Sequence, residues 1–110
     1  MSIPFTYEQA QEICEDFEDL EGTELVIKSQ PPVKCEIERI CIAPFDSIEK
    51  QEFVTGYTAT ADPITDFVAY EGPECDVLLF LRNVKDDNDL IVMTIEEYIT
   101  TNGVSYNFPG

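Results

Sequence analysis

From Tyr7 to Leu20 the chain reads YEQAQEICEDFEDL, and its apolar side chains recur at Tyr7, Ala10, Ile13, Cys14, Phe17 and Leu20. That spacing of three and four places them in one arc of a helix and leaves Glu8, Glu12, Glu15, Asp16, Glu18 and Asp19 on the opposite face. Thr6 with Gln9 three positions on has the form of a capping box. Phe5 offers one half of a hydrophobic staple, and Gly22 follows the last periodic residue. An amphipathic helix over Tyr7–Leu20 is expected.

The period then shortens to two. ELVIKS (24–29) is a short strand, QPPVK breaks it, and CEIERICIAPF resumes with alternation. Cys35 and Ile37 share one parity and Ile40 and Ile42 the other, so a bulge near Glu38 and Arg39 is needed for all four to face inward. DSIEKQEF reads equally as a helical turn opened by Asp46 or as the start of a strand. QEFVTGYTAT (51–60) reads as a strand in which Gly56 marks a bulge or a close backbone approach. In ADPITDFVAYEG, Asp62 before Pro63 and the closing Gly72 predict a short helix over Pro63–Tyr70, with Ile64, Phe67 and Val68 inward.

CDVLLFLRNV, the most apolar segment, is expected as a central strand covered on both faces. KDDND follows as a turn and LIVMT returns as the hairpin partner. Thr94 and Glu97 then form a second capping box, opening a short helix IEEYITTN closed by Gly103, with Ile95, Tyr98 and Ile99 inward. The tail VSYNFPG (104–110) is expected either to pack along an edge or to trail loosely. These elements sum to a single α+β domain over residues 1–110: a mostly antiparallel sheet, helices to one side, an N-terminal amphipathic helix, a short middle helix and a short C-terminal helix.

Composition alters this picture chiefly through charge. The hydrophobic fraction of 44% and charged fraction of 26% are ordinary, so the net charge of −17 reflects scarce bases: only Lys28, Lys34, Arg39, Lys50, Arg82 and Lys85. Such a surface repels nucleic-acid phosphates and anionic lipid, and it favours basic proteins or cations. Neither a leader pattern nor a membrane-length apolar run is present, so a cytoplasmic chain, complete as it stands, is expected, with Cys14, Cys35, Cys41 and Cys75 as reduced thiols.

Motifs for chemistry are missing. There is no His, and the cysteines lie twenty-one, six and thirty-four positions apart, which is poor spacing for zinc. Asp86, Asp87, Asn88 and Asp89 lack the glycine and glutamate that a calcium loop needs, and suit a solvated turn. Thiols have no imidazole base, and no phosphate-binding loop or nucleophile elbow occurs. Paired carboxylates such as Asp62 with Asp66, or Glu71, Glu74 and Asp76, are too abundant to single one out. No catalytic residue, cofactor or metal is therefore expected. Arg82, on the apolar strand, should be partly buried and paired with Glu74 or Asp76.

The first helix is the feature that needs explaining. Glu8 with Glu12, Glu12 with Asp16, and Glu15 with Asp19 are like-charge neighbours at i,i+4, each costing about 0.2–0.5 kcal/mol. A solvated face is the common reason for such a run, but here no base offsets it. The reading is a non-catalytic inhibitor- or adaptor-type module with Glu8, Glu12, Glu15, Asp16 and Asp19 facing a basic protein partner. Two alternatives stand beside it: a small-molecule or enzymatic pocket near Gly56 and Tyr57 in TGYTATADP, and a homodimer made by an apolar sheet face.

Overall fold

In the computed structural model, which describes residues 3–28, 30–59 and 69–108, the chain runs through α1 (Tyr7–Asp16), β1 (Glu24–Ile27), β2 (Val33–Pro44), α2 (Ser47–Ala59), β3 (Cys75–Asn83), β4 (Asp86–Thr94) and α3 (Ile95–Asn102). The strands pair antiparallel in the order β1-β2-β3-β4. The fold is α+β, with helices at the start, middle and end of one compact domain. Among the described residues no helix is long and apolar enough to cross a membrane.

α1 opens as its sequence predicts. Thr6 Oγ1 accepts the Gln9 N–H at 3.1 Å and Gln9 Oε1 accepts the Thr6 N–H at 3.0 Å. It ends at Asp16, short of the expected Leu20. Phe17 forms the C-cap, a 3-10 turn carries Glu18–Leu20, and Gly22 adopts φ +87°. Acids crowd the C-terminal end of this helix, where the backbone dipole is already negative, so early termination relieves a repulsion that continuation would prolong.

β2 carries the expected bulge. Ile37 faces Leu81 and Arg39 faces Phe80, leaving Glu38 as the extra residue. Cys35, Ile37, Ile40 and Ile42 therefore all reach one core, where they meet Ala10, Ile13 and Phe17 of α1, Val77, Leu79 and Leu81 of β3, and Ile95 and Tyr98 of α3. Past the bulge, Cys41 and Ala43 point to the other face. There they join Leu78 and Phe80 in a second cluster under Phe53, Val54 and Tyr57 of α2. The helices thus lie on both faces, not on one. β3 is apolar at even and odd positions alike, and a sheet with two apolar sides must be covered twice.

Residues 51–59 correct the strand expected there: they are the body of α2. Asp46 Oδ2 accepts the N–H groups of Ile48 and Glu49, both at 3.1 Å, and starts the helix. Phe53, Val54 and Tyr57, at helical spacing, form its inward stripe, and the Tyr57 ring stacks on Phe80 with centroids 3.8 Å apart. The helix expected over Pro63–Tyr70 lies outside the described residues except for Ala69 and Tyr70, which belong to no regular element.

The β3–β4 hairpin turns at Val84 and Lys85, so the acids assigned to its turn belong to β4. Pairing steps from Arg82↔Leu90 to Asn83↔Asp86, which leaves Asp87–Asp89 as an excursion from the ladder. Arg82 Nη1 donates to the Asp87 carbonyl at 2.9 Å, and Asn83 Nδ2 to Asp89 Oδ2 at 3.2 Å. Arg82 also bonds Glu38 at 2.9 Å, not Glu74 or Asp76. Asp76 lies six residues away along the same strand, about 20 Å at strand rise, whereas the bulge delivers Glu38 alongside. α3 repeats the capping box through Thr94 and Glu97 and ends at Gly103 with φ +64°. The tail then crosses α1: Tyr106 lies 4.8 Å from Phe17, and Phe108 lies 5.5 Å from Phe5, centroid to centroid.

All four cysteines are free thiols. Burial, then Glu21 and Glu15, pushes the Cys14 thiol up to about 12. Burial likewise raises Cys35, Cys41 and Cys75, and burial followed by Glu38 raises the Tyr57 phenol. The folded chain therefore holds these protons more tightly than the unfolded chain, whose thiols titrate near 8.5 and phenols near 10. This stabilisation is complete below the unfolded values and disappears as pH rises through the folded ones. Thermal melting midpoints are expected to fall steadily above about pH 9, by a linkage that weakens when Cys14 and Cys41 are replaced by Ala; midpoints flat to about pH 11 would contradict it.

Candidate functional site

The acidic surface is built by what lies beneath it. Ala10 and Ile13 are fully buried and Phe17 nearly so, which turns the opposite side of α1 to solvent. Glu8, Glu12, Glu15 and Asp16 stand exposed there, and Glu18 and Asp19 continue the run in the 3-10 turn. Glu8 to Asp16 spans about 12 Å of helix. The structure brings Glu8, Glu12, Glu15 and Asp16 into one stripe. Asp19 lies beyond the helix end, so its expected helical pairing with Glu15 is lost.

Three of the six bases are engaged elsewhere. Lys34 pairs with Glu24 at 3.3 Å, Lys50 with Asp76, and Arg82 with Glu38. Among the described residues no Lys or Arg pairs with an acid of α1 or of the turn after it. One polar partner comes instead from the tail, where the Tyr106 hydroxyl donates to Asp16 Oδ2 at 2.6 Å. Burial, and then this bond to a carboxylate, raises the Tyr106 phenol above its ordinary range. Sequence reasoning did not find Tyr106, because its partner lies ninety positions away; the aromatic alternation of Tyr106 and Phe108 was the only local signal.

An open cleft of about 790 Å³ lies where α2 and α3 begin, lined by Phe45, Asp46, Lys50, Glu74, Asp76 and Glu97 among others. Its buried carboxylate, Asp76, already has both oxygens engaged: Oδ2 with Lys50 Nζ and Oδ1 with the Val77 N–H at 2.8 Å. Asp46 caps α2 and Glu97 belongs to the capping box of α3. Lys50 Nζ sits 5.5 Å from the centroid of the Phe45 ring. Through these bonds the groups hold the helix starts to the sheet.

The pocket looked for near Gly56 and Tyr57 has a different setting. Gly56 is exposed on α2, and Tyr57 is fully buried against Phe80. A smaller cleft of about 350 Å³ brings Cys14 and Cys41 to Glu21 and Arg39. Its thiols are protonated at neutral pH, and Glu21 Oε2 accepts the Ile40 N–H at 3.1 Å, closing the outer edge of β2. Among the described residues no group of three or more His, Cys, Asp or Glu side chains is arranged to hold a metal. Comparison with protein-family models, with curated proteins and with solved structures finds no match in any of the three.

Within α1, Glu12 stands four positions from both Glu8 and Asp16. Glu12→Gln should therefore stabilise the fold by about 0.5 kcal/mol at low ionic strength and by less in high salt, read from urea unfolding. A loss of stability would mean that Glu12 has a favourable partner.

Proposed function

We propose that the protein is a non-catalytic binding module that presents the exposed carboxylates of α1 to a basic protein partner. The observation supporting this is the unequal placement of charge. Lys34, Lys50 and Arg82 pair with acids of the sheet, while Glu8, Glu12, Glu15, Asp16 and Asp19 stand exposed without a basic counterpart among the described residues. The stripe is also rigidly backed. Ile13 and Phe17 anchor its underside, and Tyr106 fixes the Asp16 carboxylate from the side. Preorganised charge of this kind accelerates encounter and selects orientation more than it adds affinity. The open cleft beside Lys50 and Asp76 supports a second reading, a site for a small polar molecule.

Capture on the immobilised protein at low salt supplies the partner for the test. Reversing Glu12, Glu15 and Asp19 to Lys, which spares the Asp16 bond to Tyr106, should slow association with that partner at least about tenfold at low salt and far less at high salt. An unchanged association rate with the fold intact would exclude the α1 face.

A further inference from the structure

The two edges of the sheet are treated differently. β1 is short, and past it the outer side of β2 is closed step by step. The Gly22 N–H donates to the Ile37 carbonyl and the Ile37 N–H to the Thr23 carbonyl, both at 2.8 Å. Glu21 takes the Ile40 N–H at 3.1 Å, and the Tyr70 N–H reaches the Ile42 carbonyl at 3.0 Å. β4, the other edge, has no such cover among the described residues. Among the described residues, Leu90–Met93 hydrogen-bond only to β3. In an antiparallel ladder alternate residues turn N–H and C=O outward, so two of these four present both groups to solvent.

The side chains along this edge are apolar on both faces and only partly covered. Ile91 and Met93 adjoin the core under α1 and α3, while Leu90 and Val92 adjoin the cluster under α2. An added strand would therefore extend both apolar layers at once. Acids flank the site: Asp86, Asp87 and Asp89 are exposed at one end, and Glu96 and Glu97 follow the other. A second copy is a poor occupant. Two-fold antiparallel pairing along Leu90–Met93 brings the Asp86–Asp89 end of each chain toward the Glu96 and Glu97 end of the other, and it joins two bodies that each carry −17.

We propose that the β4 edge binds an extended basic segment of another protein, which adds to the sheet as a fifth strand over Leu90–Met93, with its Lys or Arg residues reaching the acids at the two ends. Main-chain hydrogen bonds supply affinity, and the flanking charges exclude other copies of the same chain. This surface is separate from the α1 face, and the inference does not rest on that reading.

The test uses the whole chain and the amidated peptide Lys-Arg-Val-Thr-Val-Thr-Val-Arg-Lys at physiological salt, beside the same peptide N-methylated at alternate residues. N-methylation keeps every charge and side chain and removes backbone donors. The expected result is amide exchange slowed at least about tenfold at Leu90–Met93 on saturation, binding at least about tenfold weaker for the methylated peptide, and no change in either with Glu12→Gln. Equal binding of the two peptides would show charge attraction alone and overturn the proposal. So would protection confined to α1, or a peptide-free dimer by sedimentation with β4 amides already protected.

Discussion

β3 is the strand on which the rest of the molecule is hung. Its odd positions, Cys75, Val77, Leu79 and Leu81, belong to one core and its even positions, Leu78 and Phe80, to another. The helices are placed by which of those faces each covers, α1 and α3 the first and α2 the second. A strand of this kind demands a partner that can serve both sides; β2 does so by alternation, and its single inserted residue keeps the inward parity between Ile37 and Ile40. Before Glu38 the positions it turns to the first core are odd, Cys35 and Ile37, and after it they are even, Ile40 and Ile42, with Cys41 and Ala43 serving the second core, so Val33–Pro44 stays in step with β3 along its length. The bulge also brings the Glu38 carboxylate beside Arg82 and the Tyr57 hydroxyl, a polar cluster at the margin of the α2 side.

Charge follows from this construction. With six bases against twenty-three acids, the fold uses two of them, Lys50 and Arg82, where burial makes a counter-charge most valuable. Lys50 meets Asp76, the one charged residue found buried among those described, and Arg82 meets the bulge. The helix that needs least from charge is α1, since Ala10, Ile13 and Phe17 already fix it to the sheet. Its acids can stay unpaired because packing, not electrostatics, holds the helix. A repulsive stripe costs about 1 kcal/mol at most, small beside the burial of Ile13 and Phe17.

Much of this was legible in the chain. The parity slip between Ile37 and Ile40 located the bulge, the two capping boxes located the starts of α1 and α3, and continuous apolarity marked β3 as two-sided. What failed was α2. Its Val54, Thr55, Gly56, Tyr57 and Thr58 have strand-like or weak helix propensity, and the helix exists because Phe53, Val54 and Tyr57 fill the second face of the sheet. The legible signal was Asp46 before Ser47 with Glu49 close behind, an N-cap pattern that was weighed against a strand start and left open. The acidic stripe could be read as a surface, but its Tyr106 contact, the partner of Arg82 and the position of β4 at the sheet edge depend on tertiary neighbours that periodicity does not encode.

The measurement that bears most directly on this construction is urea unfolding of the chain with Glu38 deleted. Removing the extra residue leaves Cys35, Ile37, Ile40 and Ile42 in one unbroken alternation at the Ile37↔Leu81 and Arg39↔Phe80 register already present, whereas removing Glu36 forces Cys35 off the core face. The Glu38 deletion variant should therefore keep its cooperative transition and lose chiefly the ion pair with Arg82, while deletion of Glu36 costs several kcal/mol or the transition altogether. A Glu38 deletion variant that no longer unfolds cooperatively, or a Glu36 deletion variant as stable as the parent chain, would contradict the claim that Glu38 is the one residue by which β2 exceeds its regular pairing with β3.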